Sequence, residues 1–200
     1  MTYSYSPLPA WHSPSKTNPS LTFVGETSTE PIHQAVGRAL SSWEQAESGF
    51  VKLFQLLCET KSFAACRAYG TIENQFGRYL ALKYAAEEFF ASREQSDLKI
   101  TETLLKTYSN SGKYRNELAH GMAAQPHAFG YFLCPPSYAA RRRNSPNPYG
   151  LWGLDADYFY RVVEINCFTE RFTQILNSTM SLVLYLNEKY EILHLSDFHP

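Results

Sequence analysis

The chain has 200 residues and a formal net charge of −1, from 18 basic and 19 acidic side chains. That balance excludes a global electrostatic pull toward nucleic acid or membrane, so any such contact has to be local. A hydrophobic share of 44% argues against global disorder and suits one domain with appendages.

The 14 Tyr and 13 Phe are many for this length, and buried Tyr needs a partner for its hydroxyl. Cys58, Cys66, Cys134 and Cys167 form no C-x-x-C pair and no metal spacing with histidine, which fits a reduced setting. The opening MTYSYSPLPAWHSPSKTNPS lacks the charged start and apolar run of a secretory leader. MSLVLYL is too short to span a bilayer. The expectation is a soluble, cytoplasmic protein without a membrane partner.

Residues 1–28, rich in Ser, Pro and Thr, read as a disordered or extended arm. The domain proper is placed at 29–190, with a tail at 191–200. Thr29 offers an N-cap, and Pro31 suits an early helical position where its missing N–H costs nothing. Ile32, Val36, Leu40, Trp43, Phe50, Phe54 and Leu57 recur at three-and-four spacing and predict a long helix. Trp43 is its core anchor; Glu44 and Glu47 are solvated neighbours, or one of them faces Arg115.

A short break leads to a second long helix capped by Ser62. Ala65, Tyr69, Ile72, Phe76, Tyr79 or Leu80, and Tyr84 are in phase along it. Asp97 caps a third, running on to Ala124, with Leu98, Thr101 or Glu102, Leu105 and Tyr108 in phase. SNSG at 109–112 predicts a kink or interruption there. From about 125 to 162 helical periodicity stops. Aromatic runs at 129–133 and 158–162 flank a Pro/Arg/Asn stretch, which predicts a two-stranded hairpin with a mobile basic tip. The last helix carries Val163, Ile165, Phe168, Phe172, Ile175, Leu176, Met180 and Leu184 on a broad stripe. The sum is an all-α fold, a four-helix up-and-down bundle with a β-hairpin inserted before the last helix.

KYRNELAHGMA, at 113–123, carries the chemistry. With Arg115 at zero on a helical wheel, Leu118, Ala119 and Met122 fall within about 60°, the expected inward face. Asn116 and His120 stack four residues apart at its edge. A guanidinium suits a phosphate oxygen, an imidazole takes or gives a proton near neutrality, and an amide orients either. These groups can break an RNA chain through its own 2′-hydroxyl, with the cation holding charge on the phosphoryl group. The plainer alternative is a buried polar network tying the third helix to its neighbours. Glu117 reads as a modulator of His120 or, in preference, as a surface partner of Lys113 four residues away.

RNELAHG, from Arg115 to Gly121, resembles the motif of the HEPN superfamily: an arginine, a polar residue directly after it, and a histidine a few residues on. The four-helix layout is similar to that family's bundle over roughly residues 30–190. The resemblance implies a metal-independent endoribonuclease that needs no cofactor and works as a homodimer, with two motifs sharing one cleft. It implies His120 as the acid/base group, Arg115 as the phosphate-stabilising group and Asn116 as their positioner. It also implies a toxin–antitoxin or anti-phage role, often beside a separate antitoxin of nucleotidyltransferase type. The other outcome in such a family is an inactive module that binds RNA, a nucleotide or a protein. Lys113, Arg141, Arg142 and Arg143 are the RNA-backbone candidates, with Tyr138 and Tyr149 near enough to stack on bases. The three arginines read equally as a solvated basic loop. His194, Asp197 and His199 are read as incidental polar residues of the tail.

Overall fold

Helix α1 (Glu30–Leu57) starts directly after Thr29, whose carbonyl accepts the His33 N–H at 3.0 Å. Its inward stripe contains Ile32, Trp43, Phe50 and Leu57 as expected, and also Ala35, Ala39 and Ala46, all fully buried. The computed structural model describes residues 3–14, 20–126, 128–136 and 158–192. Among them no helix is long and apolar enough to cross a membrane.

The second predicted helix is two. α2 (Phe63–Gly70) is capped by Ser62, whose hydroxyl accepts the Ala64 N–H at 3.2 Å. α3 (Gln75–Phe89) is capped by Asn74, whose side chain accepts the Gly77 N–H at 2.6 Å. The second cap resets the rotational phase, so α3 buries Leu82, Ala86 and Phe89. Phe76 and Tyr84, counted inward from the sequence, are 65% and 60% exposed.

α4 (Gln95–His120) runs unbroken through 109–112, where an interruption was predicted. Gly112 serves contact there: a Cβ would collide with the Gln75 side chain, whose amide donates to the Tyr108 carbonyl at 2.9 Å. Asp97 is not a cap but lies inside the first turn, 2% exposed. After α4 come β1 (Met122–Ala124) and β2 (Phe132–Cys134), antiparallel with Met122 opposite Cys134. α5 (Val162–Tyr190) completes the order. The fold is mostly helical, with five helices and one small sheet among the described residues.

Among the described residues the predicted hairpin partners meet at one bridge, Leu133 with Tyr160. The strand that pairs with β2 comes from residues assigned to the third helix. The hairpin tip, including Arg141, Arg142 and Arg143, and the tail from 193 on lie outside the described residues.

Backbone contacts group the chain into two compact units. One comprises Met1–Ala10, Trp43–Gly112 and Phe172–Pro200. In its core Trp43 stacks on Tyr108 (5.5 Å between ring centres) and meets Phe172 edge-on at 5.1 Å. Glu47 is buried, not solvated: it accepts from Tyr108 Oη at 2.9 Å and pairs with Arg78 at 3.0 Å, so Arg78 takes the role offered to Arg115. Asp97 accepts from Lys189 Nζ (2.8 Å), Tyr190 Oη (2.7 Å) and Tyr185 Oη (3.1 Å), fastening the first turn of α4 to the last turns of α5.

The other unit comprises Trp11–Ser42 and Lys113–Arg171. It is built on Phe23, Phe132, Cys134 and Phe159. Phe23 stacks on Phe132 at 5.5 Å, and Glu26 bridges to Tyr131 in antiparallel sense. Gly25 permits that approach, since a Cβ there would strike the Tyr131 carbonyl and the Phe132 ring. The Glu26 carboxylate accepts the Val162 N–H at 3.0 Å and so caps α5 from far earlier in the chain.

Candidate active site

The motif occupies the last turns of α4. Ser111, Tyr114 and Leu118 are buried at three-and-four spacing and mark the inward face. At about 100° per residue, Arg115 and Glu117 fall on opposite flanks, with Asn116 and His120 turned outward. Burial agrees: Arg115 is half-buried, while Asn116, Ala119 and His120 are exposed. The expected inward face of Leu118, Ala119 and Met122 is therefore corrected, because only Leu118 is buried. Met122 has already left the helix and is 42% exposed. Tyr114, not Arg115, faces the core; its ring stacks on Phe168 at 4.9 Å.

The motif thus presents Asn116 and His120 on an open face, with Arg115 half-buried beside them. Arg115 Nη1 donates to Asn116 Oδ1 at 3.4 Å, which draws the guanidinium over the outward side. His120 sits one turn beyond Asn116 as the last helical residue, and its ring has no hydrogen-bond partner among the described residues. Lys113 is exposed, its ammonium 4.6 Å from the centre of the Tyr114 ring. Arg141, Arg142 and Arg143 are not placed beside this face, lying outside the described residues, as do Tyr138, Tyr149, His194, Asp197 and His199.

Glu117 is engaged in a way the sequence reading missed. Its carboxylate accepts from Tyr160 Oη at 2.6 Å, and its backbone carbonyl from Tyr158 Oη at 2.9 Å. The two tyrosine rings stack at 4.8 Å. Burial, and then the carboxylate receiving its proton, push the Tyr160 hydroxyl well above the ordinary tyrosine range, so it stays a donor. Tyr158 and Tyr160 were legible as a pair: residues two apart in extended chain share a face, and two hydroxyls there need acceptors. Together they clamp the flank of α4 opposite Arg115.

Directly after the helix, Gly121 stands where an added side chain has little room. An added Cβ would lie 2.7 Å from Leu133 Cγ and 2.8 Å from the Glu117 carbonyl oxygen. The chain turns there into β1, so the register against β2 fixes where His120 stands. Among the described residues no three His, Cys, Asp or Glu side chains gather as a metal site. What the face offers is a guanidinium with an amide beside it and an open imidazole one turn away. That set can bind a phosphate oxygen and exchange a proton near it.

No family model, curated protein or solved structure matches the chain.

Proposed function

We propose that the chain is a metal-independent endoribonuclease of HEPN type, acting as a homodimer on RNA. The observation that carries this reading is the openness of the motif. Arg115 is drawn to Asn116 on the outward side of α4, and the His120 ring is exposed where a sealed ring would have ended the idea. The order of long helices α1, α3, α4 and α5, with short α2 between, supports reading the fold as a HEPN-type four-helix bundle.

In this reading His120 removes the proton of a ribose 2′-hydroxyl. The 2′-oxygen attacks the adjacent phosphorus, and the P–O5′ bond breaks. The 5′-oxygen leaves with a proton, and the other product ends in a 2′,3′-cyclic phosphate. Arg115 neutralises charge on the non-bridging oxygens, and Asn116 holds the guanidinium in place. Two copies of the motif in one cleft would supply base and acid from separate histidines. A cytoplasmic toxin or anti-phage role, with an antitoxin or nucleotidyltransferase-type partner, belongs to the same reading.

A second reading is an inactive module that binds RNA, a nucleotide or a protein. The observation favouring it is that no described group orients the His120 ring. The test compares wild type, His120→Ala and Arg115→Ala on RNA oligonucleotides in chelator. Loss of about 10²–10⁴-fold in cleavage rate for His120→Ala, about 10²–10³-fold for Arg115→Ala, and cyclic phosphate ends support the nuclease. RNA binding without cleavage in any form supports the module. Cleavage that survives His120→Ala removes the proposed site.

A further inference from the structure

The N-terminal segment brings an aromatic ring to the base of the motif. Residues 3–14 form no helix or strand, yet Trp11 lies edge-on to Tyr114, with 5.4 Å between ring centres, and tilted against Phe168 at 6.2 Å. The Arg171 guanidinium lies over the same indole at 5.3 Å. Trp11 is itself half-buried, whereas Tyr114 and Arg171 beneath it are each 8% exposed. On the exposed side of Tyr114 stands Lys113, and Arg115 follows directly in the chain.

A planar ring held edge-on by Tyr114, tilted against Phe168 and covered by the Arg171 guanidinium occupies a place that a planar nucleobase of similar size can take. Single-stranded nucleic acids are held by aromatic platforms flanked by cations, and arginine stacks on bases as it does on indole. We infer that Trp11 is a built-in occupant of a nucleobase site formed by Tyr114, Phe168 and Arg171, displaced when an unpaired base of RNA enters. The inference rests on RNA as the substrate class of the neighbouring motif and adds an aromatic base-binding subsite with a self-contained competitor.

The segment is suited to leaving. Ser4, Ser6, Pro7, Pro9, His12 and Ser13 are exposed and carry no regular structure. Besides the Trp11 ring contacts, the segment is held by exposed hydrogen bonds, from the Ser6 N–H to Ser181 Oγ at 2.8 Å, from Ser181 Oγ to the Ser4 carbonyl at 3.4 Å and from the Tyr3 N–H to the Glu188 carboxylate. Elements with few buried contacts open at low cost. While Trp11 is seated, apparent affinity for RNA falls by the fraction of molecules in which the site is vacant.

The test is made in a His120→Ala background, so that binding is read without cleavage. Fluorescence anisotropy with a labelled single-stranded RNA should show Trp11→Ala binding about fivefold or more tighter than the parent, through removal of the competitor. Adding Arg171→Gln should reverse the gain. Equal or weaker binding by a folded Trp11→Ala chain overturns the inference. If that variant fails to fold, the parent decides: RNA should increase acrylamide quenching of the Trp11 emission, isolated by difference from Trp11→Phe, and unchanged quenching overturns it. Tighter binding in a chain whose wild type cleaves no RNA would keep the inference and remove the nuclease. His120-dependent cleavage indifferent to Trp11 would do the reverse.

Discussion

Replacing Gly121 by alanine tests whether the turn after α4 is set by lack of space. Its φ is not in the left-handed region, so alanine meets no backbone penalty. The penalty is contact: the new Cβ would lie 2.7 and 2.9 Å from Leu133 Cγ and Cδ1, and 2.8 Å from the Glu117 carbonyl. Leu133 is 2% exposed and paired with both Ala123 and Tyr160, so it has little room to retreat. The Glu117 carbonyl is backbone and already accepts from Tyr158. Overpacking of this kind costs about 1–3 kcal/mol, which for a chain of this size lowers Tm by about 2–12 °C. Gly37→Ala is the control: Gly37 is exposed within α1 with nothing within 4 Å of an added Cβ. That change should stabilise by about 1 kcal/mol through helix propensity and raise Tm by about 2–4 °C. Thermal unfolding followed by circular dichroism reads both. A Gly121→Ala chain as stable as wild type would refute the close approach of α4 and β2.

Two buried carboxylates should answer pH in opposite directions. Burial alone would raise the Asp97 carboxyl, but hydrogen bonds from Lys189, Tyr190 and Tyr185 outweigh it and hold it below the ordinary range. Its stabilisation is therefore present above the unfolded value of 3.8 and lost as pH falls through the folded one. Asp97→Asn should cost about 2–3 kcal/mol at pH 7, below the usual figure for a broken buried pair, because Lys189 keeps Glu94. Urea unfolding should show that gap shrinking in acid, and a gap independent of pH would count against the cluster. Glu47 is raised, chiefly by burial, so its contribution is full below 4.5 and declines as pH rises through the folded value. Wild type should accordingly lose ground to Glu47→Gln on the same scale as pH increases, and a gain would contradict the burial. Glu26→Ala removes the acceptor of the Val162 N–H and should cost about 1 kcal/mol in the same assay; no change would mean that water replaces it. Tyr160→Phe leaves the Glu117 carboxylate without that donor and should cost about 1–2 kcal/mol in urea unfolding, an effect that Glu117→Gln should blunt.

What could be read beforehand follows from where periodicity holds without a break. α1 and α5 were legible because Ile32, Trp43 and Phe50, and Ile165, Phe168, Phe172 and Ile175, recur through uninterrupted turns and are buried. Counting failed across residues 71–74, since the Asn74 cap restarts the helix at a new angle and sends Phe76 and Tyr84 outward. The apolar stripe of α5 does not include Thr179, which is fully buried because its hydroxyl donates to the Ile175 carbonyl in its own helix at 2.7 Å. Met122–Ala124 are good helix formers that became a strand because pairing with β2 overrode propensity. Arg115, Asn116 and His120 read as a set from the sequence, but their orientation on α4 did not. The wheel was anchored on Arg115, whereas the large apolar Tyr114 beside it turns the helix. The Tyr158 and Tyr160 clamp on Glu117 joins residues 41 and 43 apart, which local spacing does not report.

The cap that Glu26 places on α5 has a consequence for how the chain is made. Its acceptor and donor are 136 residues apart, about 7–27 s of synthesis at bacterial-to-fast elongation rates of roughly 5–20 residues per second. When Phe23, Gly25 and Glu26 emerge, Tyr131 and Phe132 are still to be made, and Val162 follows last. A nascent chain therefore holds an apolar edge with no mate, the kind of surface chaperones recognise, and the platform beneath His120 consolidates only after its late partners arrive.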